Sequence, residues 1–236
     1  TCALPISVPE LFLIDARMIL PPAAPGEVVE IVRKETIGEP PRCSPLPEQF
    51  DGEVLITVGD RITTDHIMPA GTHLKLRSNI PMYAKVVFEC FNEAGQPTFA
   101  ERAAHVRDAG RCGVIVAGES YGQGSSREHA AICPMFLGVR AVLARSIERI
   151  HAANLVNFGI VPLLFRNGED CAATAVGDTL RIDNLPAQLR AGSEITGRLL
   201  RADGNSREVK LSHLLSRDDV ERSEEHTSEL QSPNTI

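Results

Sequence analysis

Residues 121–129 read YGQGSSREH, and they follow a short apolar run, VIVA, at residues 114–117. The run predicts a buried strand, the two glycines predict a turn, and helical spacing begins at Ser126. The first N–H groups of a helix have no partner within it and the helix dipole adds partial positive charge, so this stretch predicts an anion site. Arg127 could bind a carboxylate there through two parallel hydrogen bonds. The alternative is a glycine-rich turn with an ordinary serine at the helix N-cap.

A second motif stands upstream, GDRITTDHIMPAG at residues 59–71, and is followed by LRSN at residues 76–79. Together with residues 121–129, it closely resembles the C-terminal, swivelling domain of the aconitate hydratase (aconitase) family. The resemblance is dense from about Leu55 to Phe165 and thinner on both sides. Several motifs in the same order make it specific. Further matching stretches are HAA at 129–131, LGVRAV at 137–142, IHAANL at 150–155 and NFGIVPL at 157–163.

The hydrophobic pattern predicts strands that alternate with helices up to residue 164, and a strand-rich section after Gly168. Such alternation indicates parallel strands joined by crossover helices. The resemblance implies an α/β fold, a three-layer β/β/α swivelling domain with a mostly parallel sheet, and the pattern is compatible with it. Predicted strands are 54–58, 113–117, 141–143, 160–164, 179–182, 194–200 and 207–211, and predicted helices are 80–90, 99–109, 126–136 and 147–158.

Four segments are predicted along the chain. Residues 7–50 are rich in proline, which blocks regular pairing, and are interpreted as an extended linker from an N-terminal cluster-binding region that this chain lacks. The alternating run at 28–32 could add an edge strand to this linker. Residues 51–221 are the predicted swivelling domain. Residues 1–6, TCALPI, and residues 222–236, which begin RSEEHTSELQS, resemble translated sequencing-adapter DNA and are interpreted as artefacts. The alternative for the last segment is a natural polar tail.

The composition argues against several classes of function. A net charge of −7 and only two tyrosines, without a stripe of basic and aromatic residues, disfavour nucleic-acid binding. No apolar run approaches the roughly 18 residues of a membrane-spanning helix, and residues 6–14 lack the basic start of a secretion signal. The six cysteines are scattered without a CxxC pair, which disfavours a disulfide framework or a metal site on this chain. We therefore expect a cytoplasmic protein, or a mitochondrial-matrix protein if the source is eukaryotic.

The resemblance assigns roles to five residues of the two motifs. Ser125 matches the family's catalytic base, Ser126 a residue that supplies a supporting hydrogen bond, and Arg127 a residue that binds a substrate carboxylate. Arg77, twelve residues after Asp65, matches a second carboxylate-binding arginine. Asp65 matches an acidic active-site residue that is expected to orient its partners. An unperturbed serine is too weakly acidic to serve as a base, so backbone donors, a helix N-terminus and an arginine must stabilise its alkoxide.

Structural roles compete with these assignments. Asp65, like Thr64, could simply cap a turn, and Arg77 without its motif would be a surface residue. His66 is expected to be structural, and His129 is expected to hydrogen-bond to the backbone. Packing or capping roles are expected for His151 and Asn154.

Aconitase-like chemistry removes a proton beside a carboxylate, expels a hydroxyl group and adds water back the other way round. The resemblance implies that the complete protein is a hydro-lyase that interconverts citrate and isocitrate through cis-aconitate. The family's [4Fe–4S] cluster is held by three cysteines in domains that this chain lacks, and its iron polarises the leaving hydroxyl. We therefore expect this fragment to bind no cluster and to be inactive alone. Its expected partners are a tricarboxylic acid and the N-terminal domains of the same protein.

Three other functions stay open. The small subunit of isopropylmalate dehydratase has a similar GSSREH motif, but TTDHIMPAG, the Pro-rich lead-in and NFGIVPL are more like aconitase. A homoaconitase would differ in the length of its substrate, and no residue identified in the sequence reads that length. An RNA-binding regulator of the aconitase family is the alternative from a different class, and the acidic net charge argues against it.

Overall fold

The computed structural model describes residues 17, 19, 21–30, 32, 37–125, 127–201 and 203–225, and for residues 222–225 it describes the backbone alone. Ser126 and the segments 1–6 and 226–236 therefore lie outside the described residues. Contacts divide the chain into two units, residues 1–34 and residues 35–236. In the first unit, Glu27 N–H donates to Ala24 O at 2.9 Å and closes a turn. Residues 28–30 and 32 are irregular, so the predicted edge strand is not found among them.

The second unit contains seven described strands: β1 (Phe50–Thr57), β2 (Cys112–Ala117), β3 (Val139–Ala144), β4 (Val161–Phe165), β5 (Thr179–Ile182), β6 (Glu194–Leu200) and β7 (Ser206–Ser212). They close into a barrel in the order β1–β2–β3–β4–β7–β6–β5. β1 to β4 pair in parallel, with Val54 opposite Val114 and Val142 opposite Ile115. The pairings β4–β7, β7–β6, β6–β5 and β5–β1 are antiparallel.

The mixed α/β class predicted from the sequence is confirmed, but a mostly parallel sheet is not. β1 to β4 are parallel because a helix-containing crossover joins each of them to the next. β6 and β7 are joined by residues 201–205 alone, and so short a connection must return the chain antiparallel. The strand-rich closing section thus supplies the antiparallel half of the barrel.

The described residues form eight α-helices: α1 (Thr64–Ile67), α2 (Ile80–Tyr83), α3 (Phe99–Asp108), α4 (His129–Phe136), α5 (Arg149–Asn157), α6 (Gly168–Ala173), α7 (Leu185–Ala191) and α8 (Arg217–Glu225). The single helix predicted over 80–90 is wrong. Phe88 takes a left-handed conformation with φ of 54°, so α2 is followed by two separate 3₁₀ turns, Ala84–Val86 and Glu89–Phe91. The sequence pattern did not predict α6, α7 or α8.

The third helix shows how the local sequence starts an element and the core fixes its face. Thr98 is the N-cap of α3, and its N–H donates to Glu101 Oε2 at 2.8 Å while its hydroxyl accepts from Glu101 N–H. This capping box satisfies two groups that a helix start leaves without partners. Phe99, Ala103 and Val106 recur at helical spacing and are buried, so this face of α3 packs on the barrel.

Alternate residues of the central strands face two hydrophobic cores. In β2, Val114 and Val116 belong to the core inside the barrel, whereas Ile115 and Ala117 belong to the core between the barrel and the helices. Because both faces of the parallel strands are covered, these strands read as continuous apolar runs. That double burial holds the loops at the ends of β1 and β2 in place.

The last helix closes one end of the inner core. Val220 in α8 is 5% exposed and belongs to the same core as the barrel interior. The backbone of α8 stays helical to Glu225 and so crosses the boundary predicted between Glu221 and Arg222. The adapter origin of residues 222–236 stays a prediction. Within the described ranges, no helix combines the length and the apolar character that a bilayer crossing needs.

Residues 37–47 lie as an irregular strap on the second unit. Gly38 N–H donates to Ser78 O at 2.9 Å. The guanidinium of Arg140 contacts the thiol of Cys43 and donates to Ser44 O at 2.6 Å. Arg140 is 7% exposed, and burial lowers its pKa to about 10. The strap is therefore anchored by a buried side chain of β3.

Candidate active site

Two loops that leave the same edge of the barrel carry the two motifs. β1 and β2 are parallel neighbours, so their carboxyl ends meet at one edge and the loops after them lie side by side. The N–H groups of Gly122 and Gln123 donate to Ile62 O at 2.7 and 3.0 Å. Thr64 N–H donates to Gln123 O at 2.8 Å. Motifs that are far apart in the sequence are thus joined by backbone hydrogen bonds.

Asp60 fixes the turn after β2, and no sequence pattern had assigned it a role. Its Oδ1 accepts a hydrogen bond from Glu119 N–H at 2.7 Å. A Cβ atom on Gly118 would come within 2.0 Å of the same oxygen, so only glycine fits there. The signal was available, because Asp60 is the second residue of the upstream motif and carries a hydrogen-bonding side chain.

Asp65 and Arg127 form an ion pair across the two loops. Arg127 Nη2 donates to Asp65 Oδ2 at 2.9 Å, and Nη1 donates to Oδ1. The hydrogen bond from Arg127 lowers the pKa of Asp65, and the same bond raises the pKa of Arg127. The side chain of Arg127 is 25% exposed, so part of its planar fork stays open to solvent. Asp65 therefore orients the guanidinium without covering it.

Ser125 lies at the exposed end of the second loop. Its carbonyl accepts a hydrogen bond from Thr64 Oγ1 at 3.2 Å, which ties it to α1. The loop bends through Gly122 and Gly124, whose φ angles are 88° and 105°. Neither the Ser125 hydroxyl nor the N–H groups of Gly124 and Ser125 bond to any described residue. These groups are free to contact a ligand.

The prediction that a helix begins at Ser126 is wrong, because α4 begins at His129. Its N-cap is Glu128, which makes no side-chain capping bond. Ser126 itself lies outside the described residues, and its assigned role stays a prediction. Ser125 and Arg127 therefore lie on the loop before the helix, so the dipole of α4 reaches them less than the sequence suggested.

Arg77 is held at the start of α4, but its guanidinium contacts no described member of the site. His129 Nε2 is 3.0 Å from Arg77 O, which holds the backbone of Arg77 against the first residue of the helix. The predicted backbone role of His129 is thereby confirmed. The guanidinium of Arg77 is exposed and makes no hydrogen bond to a described residue. It can swing toward a bound anion.

The turn before α1 is capped by neighbours of Asp65 and not by Asp65 itself. Thr63 is the N-cap, and its hydroxyl accepts from His66 N–H at 3.1 Å. His66 Nδ1 accepts from Thr63 N–H at 3.1 Å, so the predicted structural role of His66 is confirmed. Thr64 is not the cap either, because its hydroxyl bonds to the second loop. The carboxylate of Asp65 therefore pairs with Arg127 and makes a long contact with Ala70 N–H.

A cleft of about 520 Å³ opens beside Ser125. This volume suits a small organic ligand. The loop from Gly122 to Ser125, Thr64 and the start of α5 line the cleft. Asp65, Arg77 and Arg127 do not line this cleft. The α5 residues in its wall, together with the residue before the helix, are Glu148, Arg149, Ile150, His151 and Asn154.

His151 is the deepest polar residue of the cleft wall. It is 2% exposed, and neither ring nitrogen has a hydrogen-bond partner among the described residues. Burial lowers the pKa of His151 to about 4, so the ring is neutral at pH 7. The ring centroid of Tyr121 is 5.3 Å away, and burial raises the pKa of that phenol. The predicted packing role is right, but the sequence did not reveal that His151 lies directly under Gly122.

The five cysteines that the structure describes do not fit an iron–sulfur cluster. Within the described ranges, no three His, Cys, Asp or Glu side chains come together as a metal site. The free thiols are at Cys43, Cys90, Cys112, Cys133 and Cys171, and burial is the main cause that raises the pKa of the last four. That the chain alone binds no cluster stays a prediction.

Comparisons with known proteins agree with the two motifs. The family model described as the aconitase C-terminal domain matches residues 68–168. The mitochondrial homocitrate dehydratase of Saccharomyces cerevisiae is 32% identical over 191 residues, which are 74% of this chain and 24% of that protein. A putative mitochondrial aconitate hydratase of Emericella nidulans is 36% identical over 180 residues, covering 70% of this chain and 23% of that protein. The chain thus spans about a quarter of the length of the curated relatives it matches.

A solved structure is similar over most of its own length. The crystal structure of a 3-isopropylmalate dehydratase from Methanocaldococcus jannaschii superposes with a TM-score of 0.52 and is 25% identical. The match covers 72% of this chain and 85% of that one. A similar fold therefore occurs in that 3-isopropylmalate dehydratase.

Proposed function

Because this chain carries the C-terminal domain of the aconitase family, we propose that it supplies the serine base and the carboxylate-binding arginines of a hydro-lyase. The proposed reaction interconverts citrate and isocitrate through cis-aconitate. The observation that carries this proposal is the meeting of the two motif loops. It holds Ser125, Asp65 and Arg127 at one edge of the barrel, where backbone hydrogen bonds fix the loops.

Ser125 is proposed to move the proton. As an alkoxide, it takes a proton from the carbon beside a carboxylate. The electron pair left on that carbon forms the double bond as hydroxide leaves the neighbouring carbon, and the reverse sequence adds water. The free N–H groups of Gly124 and Ser125 belong to the same loop as this oxygen, and they are proposed to stabilise its negative charge. The loop that carries these N–H groups is bent by its glycines and held by backbone hydrogen bonds, so it needs no rearrangement to offer them.

The two arginines are proposed to hold the substrate carboxylates. Arg127 has part of its fork occupied by Asp65 and offers its remaining donors to the ligand. Since the pKa of Asp65 is lowered, Asp65 stays ionised at neutral pH and keeps Arg127 in one orientation. Arg77 approaches from the end of an exposed 3₁₀ turn, Gly71–Leu76, and Ser126 is proposed to add a hydrogen bond.

The domain is proposed to work with other domains of the same protein. Among the described residues, no group of side chains fits the family's cluster, so the cluster is proposed to be held by those other domains. We expect the chain alone to show no hydration of cis-aconitate and to form no cluster under anaerobic reconstitution with iron and sulfide. A stable cluster absorbance on this chain would contradict that expectation. A mitochondrial-matrix location is proposed for a eukaryotic source, as the names of its relatives suggest.

Two observations favour a second candidate substrate. One relative is named a homocitrate dehydratase, and the similar solved structure is a 3-isopropylmalate dehydratase. A longer or branched acid therefore competes with citrate. The test is to assay the complete protein with cis-aconitate, with the unsaturated acid one carbon longer and with isopropylmalate. We expect the highest kcat/KM for cis-aconitate, and a higher value for either other acid would reassign the substrate.

Replacement of Arg77 by lysine tests the carboxylate role. Arg77→Lys keeps the charge but loses the planar fork, so we expect KM to rise about tenfold with a smaller loss in kcat. The guanidinium makes no hydrogen bond to a described residue, so the melting temperature should not change. Lys85→Arg, an exchange in the other direction at an exposed position of the 3₁₀ turn Ala84–Val86, serves as the control. An unchanged KM in Arg77→Lys would place the carboxylate contact elsewhere.

A further inference from the structure

The start of α5 is an uncapped helix N-terminus that lines the same cleft as Ser125. Its N-cap, Glu148, makes no side-chain capping bond, and the N–H groups of Arg149, Ile150 and His151 bond to no described residue. All of these residues line the cleft together with Ser125. Unpaired N–H groups at the positive end of a nine-residue helix attract an anion.

The side chains at this helix start add to the attraction. Arg149 is exposed and makes no ion pair or hydrogen bond with a described residue, so its charge is available to a ligand. His151 supplies a neutral ring whose nitrogens lack partners among the described residues although the side chain is 2% exposed. Buried polar atoms of proteins nearly always have a partner, so these nitrogens point to a ligand or an ordered water in the cleft.

Glu148 is the one acidic side chain in the lining, and it is already engaged. Its Oε1 accepts a hydrogen bond from the hydroxyl of Ser120, and Gln123 Nε2 donates to the same hydroxyl at 2.7 Å. This chain of bonds draws the carboxylate toward the turn after β2 and away from the helix axis. The negative charge of Glu148 still repels an anion in the cleft. Removal of this charge should therefore strengthen the binding of an anion.

We propose that the first turn of α5, with Arg149, binds a carboxylate of the substrate, on the arm that does not react. This proposal rests on the proposed function and adds a specificity determinant to it. The α5 turn and Ser125 line this cleft, whereas Arg127 and Arg77 do not, so the substrate would be held by the α5 turn within the cleft and by the two arginines outside it. The distance between the two arginines and the α5 turn would then select the length of the acid.

Tricarballylate, a tricarboxylate without a reactive hydroxyl, is the probe. The chain labelled with ¹⁵N is titrated with it, and amide shifts are followed by NMR. We expect shifts at residues 149–151 and at 124–125. Arg149→Gln should weaken the apparent affinity about tenfold, because a charge-assisted hydrogen bond is lost. Glu148→Gln should tighten it about twofold to fivefold, because the amide keeps a bond to Ser120 but no longer repels the ligand.

Lys210→Gln is the matched control, since it removes the same charge from an exposed site on β7. It should leave the affinity within error. Equal losses in Lys210→Gln and Arg149→Gln would show a general charge effect and overturn the proposal. So would a titration in which residues 149–151 do not shift, or one in which Glu148→Gln has no effect.

The complete enzyme separates this proposal from the proposed function. Arg149→Gln should raise KM for cis-aconitate and leave kcat nearly unchanged, as expected for a residue that binds ground state and transition state alike. If Ser125→Ala abolishes turnover while Arg149→Gln changes neither constant, the proposed function stands and this subsite fails. If Ser125→Ala is active but tricarballylate still binds at α5, the base assignment fails and the subsite stands.

Discussion

In the complete protein, Ser125→Ala is expected to lower kcat by about 10²-fold to 10⁴-fold or more. This is the range that a positioned general base contributes. KM should change little, because the hydroxyl acts on the reacting carbon and the carboxylates are held by other residues. Folding should not change, since Ser125 is exposed and its hydroxyl bonds to no described residue. Steady-state kinetics and a melting curve for wild type and variant measure all three quantities.

The control for this variant is Ser206→Ala, which removes an equally small hydroxyl from an exposed position at the start of β7. Its kcat and KM should equal those of the wild type. Near-normal turnover in Ser125→Ala would sink the base assignment. A fall in melting temperature beyond that of the control would show that the hydroxyl has a structural role instead.

The second large effect is expected from Gly122→Ala, which should destabilise the domain by about 2–5 kcal/mol. Two costs add. The φ angle of 88° is unfavourable for alanine, and the new Cβ would come within 2.3 Å of the His151 ring. For a domain of this size, the melting temperature should fall by roughly 2–4 °C for each kcal/mol. Thermal unfolding of this chain, followed by circular dichroism, measures the shift.

Gly177→Ala separates the two costs, because Gly177 has a φ of 90° but no described atom within 4 Å of the place that an alanine methyl group would take. It should show the backbone cost alone. The double variant Gly122→Ala with His151→Ala should recover part of the loss, because the ring no longer blocks the methyl group. Gly122→Ala and Gly177→Ala could lower the free energy of unfolding equally, or His151→Ala could recover none of that free energy. Either result would show that the close packing of His151 under the loop is not what requires glycine at position 122.

The sequence predicted the strands that lead into the two motif loops because strand positions depend on local signals, but it placed the end of the second loop too early. β2 and β5 are recognisable as an apolar run and a short alternating run, and the predicted bounds of β5 and β6 are those found. Ser125, Asp65 and Arg127 were identified from their motifs, and parallel β1 and β2 then bring them to one edge. The roles of these three residues stay predictions that the variants above test.

What the sequence could not predict depends on tertiary contacts. Barrel closure requires β5 to pair with β1, and these two strands lie far apart in the chain. No periodic pattern in the sequence predicts such a pairing. His151 looked like a packing residue because the ring's place under Gly122 follows only from the way α5 crosses the loop. The helix start at His129 was missed because the apolar spacing continues back to Ser126, whereas the chain at Arg127 is still part of the loop that pairs with Asp65.

Closure of the sheet also bears on how this domain can meet the rest of its enzyme. Every described strand, from β1 to β7, has a neighbour on both sides, so this barrel offers no open edge to which a foreign strand could add. Attachment to another domain must then use side chains and loops, whose contacts can break and reform without unzipping backbone hydrogen bonds. A barrel of this kind can move as a unit against a neighbouring domain while the backbone geometry of the loop that carries Ser125 stays intact.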